Sequence, residues 1–260
     1  VICWLAGYPK SGNTWLRLLL ANWFSDEPIG INETGKVGLD LQDTDPLLWG
    51  DLVDADPGVQ LRNRAEILRQ IHVSRPGTTF CKTHSARGVY KQWEMIPSDV
   101  THSAIYMVRD PRDVAVSLAN HLQTSVDKAI RTMNSRHATM VSPDGVVQYL
   151  GDWSANVNSW MGSARVLKYE DLLRWPEFYF KKILKRDLRL NYTHERVLKV
   201  VAACNFVNLR AQEIGQGFNE GHGQTFFNNG KSVWRDVLSE SQEKRIRRRH
   251  SKVMKALGYI

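Results

Sequence analysis

The sequence predicts an α/β fold, a central parallel β-sheet flanked on both faces by helices in three layers. Apolar runs of strand length alternate along the chain with segments whose apolar residues recur at helical spacing. Strands and helices that alternate in this way argue for a parallel sheet covered on both sides. The 260 residues show no internal repeat and no low-complexity linker, so residues 1–260 read as a single domain. With 42% hydrophobic and 24% charged residues, a packed core is the expectation and disorder is not.

The elements follow in order. Val1–Gly7 is an apolar strand, and Gly12–Phe24 sets Trp15, Leu16, Leu19, Leu20 and Trp23 at helical spacing. Ile29–Gly50 is irregular, rich in Gly, Asp and Pro. Arg64–Val73 reads as a helix, Thr78–Thr83 as a strand and Ala104–Val108 as a short buried strand. Pro111–Leu122 opens with a proline at a first helical turn. Val146–Met161 reads as one helix, with Val147, Leu150, Trp153, Val157 and Trp160 on one side. Ala164–Tyr169 is another strand, and Asp171 is expected to cap the helix after it. The rest is helical except for Gly215–Gly230, which holds five glycines and reads as a lid. The last helix, Ser239–Leu257, carries Arg245, Arg247, Arg248, Arg249, Lys252 and Lys255, with Ile246, Val253 and Leu257 as its buried stripe. Right-handed crossovers would bring the loops after the strand C-termini to one edge, where ligands bind.

A net charge of +8 favours anionic partners without choosing among them. Cys3, Cys81 and Cys204 are odd in number and far apart, which excludes a disulfide framework and zinc spacing. Buried free thiols in a reducing, cytoplasmic setting are the expectation. The longest apolar stretch, around Trp15–Phe24, is too short to span a bilayer and is broken by Arg17 and Asn22. No signal peptide is visible, and the opening on Val1 suggests a trimmed chain.

The strongest local signal is Tyr8-Pro9-Lys10-Ser11-Gly12-Asn13-Thr14-Trp15, between the first strand and its helix. Backbone N–H groups converge at such a turn and the helix dipole favours an anion. Lys10 adds a full positive charge, and Ser11, Asn13 and Thr14 add donors. The plain alternative is a strand-to-helix turn capped by Ser11 or Thr14. The segment is not a Walker A loop, because Lys10 precedes the only glycine and the loop is shorter.

This segment resembles the 5′-phosphosulfate loop of the soluble sulfotransferases, which use 3′-phosphoadenosine 5′-phosphosulfate (PAPS) and release 3′-phosphoadenosine 5′-phosphate (PAP). Further elements resemble that family in the same order. Lys82-Thr83-His84 is similar to its catalytic Lys-Thr-His. Ile105–Ser117, with Arg109 and Ser117, is similar to its 3′-phosphate strand and helix. Leu150–Met161 and Lys168-Tyr169-Glu170-Asp171 match two more elements. The wording, with Phe226-Phe227 and Trp234-Arg235, resembles bacterial members more than animal cytosolic ones.

The resemblance implies a P-loop-type fold and sulfuryl transfer to a hydroxyl or amine of a small molecule or natural product, without a metal. Lys10 would meet the bridging oxygen and 5′-phosphate, with Ser11, Gly12, Asn13 and Thr14 holding that phosphate. Lys82 would add a second positive charge, and His84 would be the general base. Arg109 and Ser117 would take the 3′-phosphate. Trp15 and Tyr169 would sandwich adenine, with Phe206 beside it. The family closes this site with Arg-x-Gly and a later Trp-Lys or Trp-Arg. Here Asn228 stands for the arginine and the second glycine is missing, so Asn229, Gly230 and Lys231 are the expected substitutes. The other seven histidines read as surface or core residues. Trp49, Trp93 or Trp153 would give an apolar acceptor wall, and a homodimer is possible.

Other classes fit the sequence less well. A small-molecule kinase would need a Walker lysine and an acidic magnesium ligand, and the sequence offers neither. A nucleic-acid binder would interleave aromatics with its basic run, but none occurs before Tyr259. A catalytically weak relative that binds only the nucleotide is the remaining alternative.

Overall fold

The computed structural model describes residues 1–75, 77–221, 225–227, 230 and 232–260. The chain begins β1 (Ile2–Gly7), α1 (Asn13–Phe24), α2 (Pro46–Trp49), α3 (Pro57–Ser74) and β2 (Thr79–Thr83). A hairpin, β3 (Val89–Tyr90) and β4 (Trp93–Glu94), leads to β5 (Thr101–Val108), α4 (Pro111–His121) and α5 (Val126–Asn134). A second hairpin, β6 (Thr139–Val141) and β7 (Val147–Tyr149), precedes α6 (Trp153–Trp160), β8 (Arg165–Lys168) and α7 (Tyr169–Arg174). The rest is helical: α8 (Pro176–Lys182), α9 (His194–Ala203), α10 (Phe206–Gln216), α11 (Trp234–Val237) and α12 (Glu240–Ala256).

β2, β1, β5 and β8 form, in that order, a four-stranded parallel sheet. Side chains alternate across a strand, so each strand feeds both faces. Trp4, Ala6, Tyr106 and Val108 join one core, shared with α3, α4, α6 and α12. Leu5, Ile105, Met107 and Leu167 join the other, shared with α1, α9 and α10. The three-layer α/β arrangement is therefore the expected one. Beside β2, the segment at Leu41–Asp43 adds a short edge: Lys82 N–H donates to Leu41 O and Asp43 N–H to Lys82 O.

Local chemistry sets the helix starts. α2, α3 and α4 all begin at an Asp–Pro pair: Asp45, Asp56 and Asp110 each accept a backbone N–H, and the proline takes the first helical position. The Asp56–Pro57 signal makes α3 longer than the predicted Arg64–Val73 helix. Two other expectations are corrected. Val146–Met161 is not one helix. Val147–Tyr149 pairs with Thr139–Val141 as a strand, Gly151 turns the chain at φ 64°, and Asp152 caps a helix that starts at Trp153. Asp171 is not a cap. α7 starts two residues earlier, and Asp171 lies in its first turn. The irregular stretch 29–50 holds a 3₁₀ turn, Thr34–Val37, and α2. In α12, Ile246 and Val253 are buried as expected, His250 and Met254 join them, and Leu257 is only partly buried. Its basic face is partly ion-paired, through Arg245 to Asp127 and Arg249 to Asp152. The three cysteines are buried and free. Among the described residues, no helix is long and apolar enough to cross a membrane.

Candidate active site

All four strands of the parallel sheet release a candidate residue at their C-terminal ends. β1 leads into the Lys10 loop, β2 into His84, β5 into Arg109 and β8 into Tyr169.

The first loop turns through Tyr8, Pro9, Lys10 and Ser11, closed by Ser11 N–H donating to Tyr8 O at 3.2 Å. Lys10 stands at φ 68°, a left-handed conformation that costs a residue with a Cβ about 1–2 kcal/mol. Strain at a lysine beside a cavity points to function. Gly12 follows at φ 107°, where a Cβ would meet the Tyr169 ring at 2.6 Å. Asn13 starts α1, its Nδ2 donating to Leu5 O. The Ser11 hydroxyl is buried and, among the described residues, has no hydrogen-bond partner. A polar atom of this kind, next to helix N-terminal N–H groups, fits a site built to receive an anion. The Lys10 ammonium lies 3.9 Å from the centre of the Phe226 ring. Burial, then Lys82 and Arg109, push it down to about 7.

His84 follows β2 directly. Its Nδ1 lies 2.6 Å from Gly7 O. A carbonyl only accepts, so Nδ1 carries the proton and Nε2 is the basic nitrogen. Asn156 Nδ2 donates to His84 O, which fixes the backbone as well. Burial first, then Lys82, hold the imidazole well below its ordinary value, so it is neutral. Just behind it lies a polar knot. The buried Asp43 carboxylate pairs with Arg64 and accepts from Thr83 Oγ1 at 2.6 Å and Gln148 Nε2 at 2.8 Å. This knot pins the end of β2.

Lys10, Gly12, Asn13, Thr14, Trp15, Lys82, His84, Arg109, Ser117, Tyr169 and Phe206 line one cavity of about 550 Å³. An adjoining cavity of about 310 Å³ shares Lys10, Arg109, Ser117, Tyr169 and Phe206 and adds Gly230. Arg109 stacks 4.6 Å from the Tyr169 ring centre, and its Nη1 donates to Lys10 O. The nearby acids are engaged elsewhere. Asp110 pairs with Arg112, and Asp113 accepts from Val233 and Trp234 N–H. Trp15 donates Nε1 to Cys204 O and meets Tyr169 edge to face at 5.9 Å and Phe206 at 5.1 Å. The three rings share one wall, but Trp15 and Tyr169 are not parallel. Asn228, Asn229 and Lys231 lie outside the described residues.

The tryptophans expected to wall the acceptor lie elsewhere. Trp153 is in the core, Trp49 is buried with its Nε1 donating to Asp43 O, and Trp93 packs against the core; none lines the cavity. The cavity is also lined by Gln42, Thr44, Leu122, Met140, Val141, Ser142, Pro143 and Gln148, together with His121, for which a surface or core position is the sequence expectation. The sequence also gave no sign of Glu220. Its carboxylate accepts from Thr14, Arg17 and Lys82. Among the described residues, no group of His, Cys, Asp and Glu is arranged to hold a metal.

Residues 3–258 match the family model described as a sulfotransferase domain. The chain belongs to the sulfotransferase family. It is an enzyme of the sulfuryl-transferring class, with the three-layer P-loop-type fold. Retinol dehydratase in complex with androsterone and PAP is similar in structure, with a TM-score of 0.59 at 20% identity, over 98% of this chain and 80% of that one. A mouse sulfotransferase complexed with PAP gives 0.62 at 17% identity, over 97% and 84%. A putative steroid sulphotransferase of Arabidopsis thaliana gives 0.51 at 18% identity, over 98% and 76%. A search of curated proteins finds no match. At these identities the structural likeness concerns the fold.

Proposed function

We propose that this sulfotransferase moves the sulfuryl group of PAPS to a hydroxyl of a small-molecule acceptor, with His84 as general base. One observation carries the reading: Lys10, Lys82 and His84 line one cavity at the end of the sheet, and the contact of His84 Nδ1 with Gly7 O leaves Nε2 as the basic nitrogen. The Lys10–Thr14 loop would hold the 5′-phosphosulfate, Arg109 and Ser117 the 3′-phosphate, and the Trp15, Tyr169 and Phe206 wall the adenine. Gly230 supports the 3′-phosphate end, with Asn228, Asn229 and Lys231 as its neighbours in sequence.

The chemistry needs little beyond positioning and charge. His84 Nε2 takes the acceptor's proton as the acceptor oxygen bonds to sulfur. The bond from sulfur to the bridging oxygen breaks, and PAP leaves with its electron pair. Lys10 and Lys82 neutralise the charge that develops on that oxygen. An amine acceptor would react in the same way. Androsterone and retinol, seen in structures of retinol dehydratase, are hydroxylated small molecules, which supports an acceptor of that kind.

The test is transfer of labelled sulfate from PAPS across a panel of hydroxylated acceptors, with His84→Ala alongside. We expect wild-type transfer to at least one acceptor. We expect the variant to lose about 100-fold or more of the rate, within the range of general-base removal, while binding PAP as before. Retained turnover in the variant would remove His84 from the role.

A further inference from the structure

We propose that Glu220 is a built-in competitor for the sulfated end of the donor, its carboxylate holding Thr14 and Lys82 where the donor's anion must sit. The proposal rests on the donor reading above. Glu220 Oε2 accepts from Thr14 Oγ1 at 3.2 Å and from Lys82 Nζ at 3.2 Å, and Oε1 accepts from Arg17 Nη1 at 2.7 Å. Thr14 and Lys82 are two of the groups that the donor's 5′-phosphosulfate requires. The carboxylate therefore satisfies the donor's ligands from within the chain.

The placement is built into the fold. Glu220 sits in a 3₁₀ turn, Asn219–Gly221, with Gly221 N–H donating to Phe218 O. Asn219 N–H donates to Asn32 Oδ1, and Asn32 Nδ2 to Gly217 O. Phe218 is buried against Phe226 and Phe227, and Glu213 accepts both of their N–H groups. Burial raises the Glu220 carboxyl, but Lys82 and Arg17 outweigh it and hold the group well below the usual carboxylate range. Glu220 is thus a fixed anion and a poor proton acceptor. Two anions cannot share Thr14 and Lys82 at contact distance without strong repulsion. Arg17 does not depend on Glu220 for its position, because its Nε donates to Leu39 O at 2.8 Å and its Nη2 to Thr34 Oγ1 at 3.2 Å. When the carboxylate yields, Arg17 keeps its place and Lys82 Nζ is released to the donor. The same competition works on the product and speeds release of PAP.

The experiment compares wild type with Glu220→Gln. PAP is titrated by calorimetry, and inorganic sulfate is followed by thermal melting. We expect PAP to bind the variant about tenfold more tightly, and sulfate to raise the melting temperature of the variant much more than that of wild type. Equal or weaker PAP binding by the variant, with equal sulfate effects, overturns the proposal while the donor reading stands. PAP binding to neither protein overturns both. If the variant does not fold, hydrogen exchange on wild type decides. PAP should speed exchange at the Asn219–Gly221 amides, and unchanged or slowed exchange overturns the proposal.

Discussion

Lys10 combines backbone strain, burial and charge in one residue. Burial, then the neighbouring Lys82 and Arg109, disfavour the charge and push its ammonium down from the ordinary 10.5 to about 7. A bound phosphate favours the charged form, so donor binding takes up a proton between those two values. PAP affinity should be full below about pH 7 and fall as pH rises above it, by up to about tenfold per unit. Calorimetry in buffers of different ionisation enthalpy measures both the fall and the proton uptake. Lys10→Met should bind PAP weakly and show neither; a flat wild-type profile would contradict the assignment. At this scale the sequence revealed the residue types but not their states. The motif marked Lys10, yet nothing in it shows the left-handed φ. His84 was legible from its neighbour Lys82 and its strand-end position, while its tautomer depends on Gly7 O, 77 residues away. Glu220 lies between glycines with no motif around it, and only the fold brings it to Thr14, 206 residues away.

At the scale of elements, the site depends on where each strand stops. The end of β2 is held by Asp43, which ties Arg64 of α3, Thr83 of β2 and Gln148 of β7 into one buried knot. Removing one partner of a buried ion pair strands the other. Asp43→Ala should therefore cost about 3–5 kcal/mol in denaturant unfolding and displace His84. Asp43→Asn, which keeps an acceptor oxygen, should cost less. Equal stability of Asp43→Ala and wild type would show that the knot does not hold the strand. The strands of the sheet and α1 were legible because apolar runs and helical spacing are local. The apolar residues of Val147–Tyr149 also fit a helical stripe, and only pairing with Thr139–Val141 decides for a strand. Of the tryptophans expected at the acceptor wall, Trp49 and Trp153 are core residues and Trp93 packs against the core, since a large ring in the sequence says nothing about which cavity it faces.

For the whole molecule, two cores on opposite faces of one sheet leave its C-terminal edge for chemistry. The edge gathers Lys10, Lys82 and Arg109 against Glu220, so the electrostatics of the site are those of an anion receptor. The overall +8 charge suggested an anionic partner without locating it. The basic run on α12 is partly taken up by Asp127 and Asp152, with Ile246 and Val253 packed beneath. The central claim is that this edge is built for a nucleotide phosphorylated at the 3′ position and carrying an anion at the 5′ end. Thermal melting with PAP and with ATP tests it most directly. At a hundredfold excess over Kd, PAP should add about 2.7 kcal/mol, a rise of roughly 5–10 °C for a chain of this size, and ATP much less. Equal shifts from the two nucleotides, or none from PAP, would contradict the account.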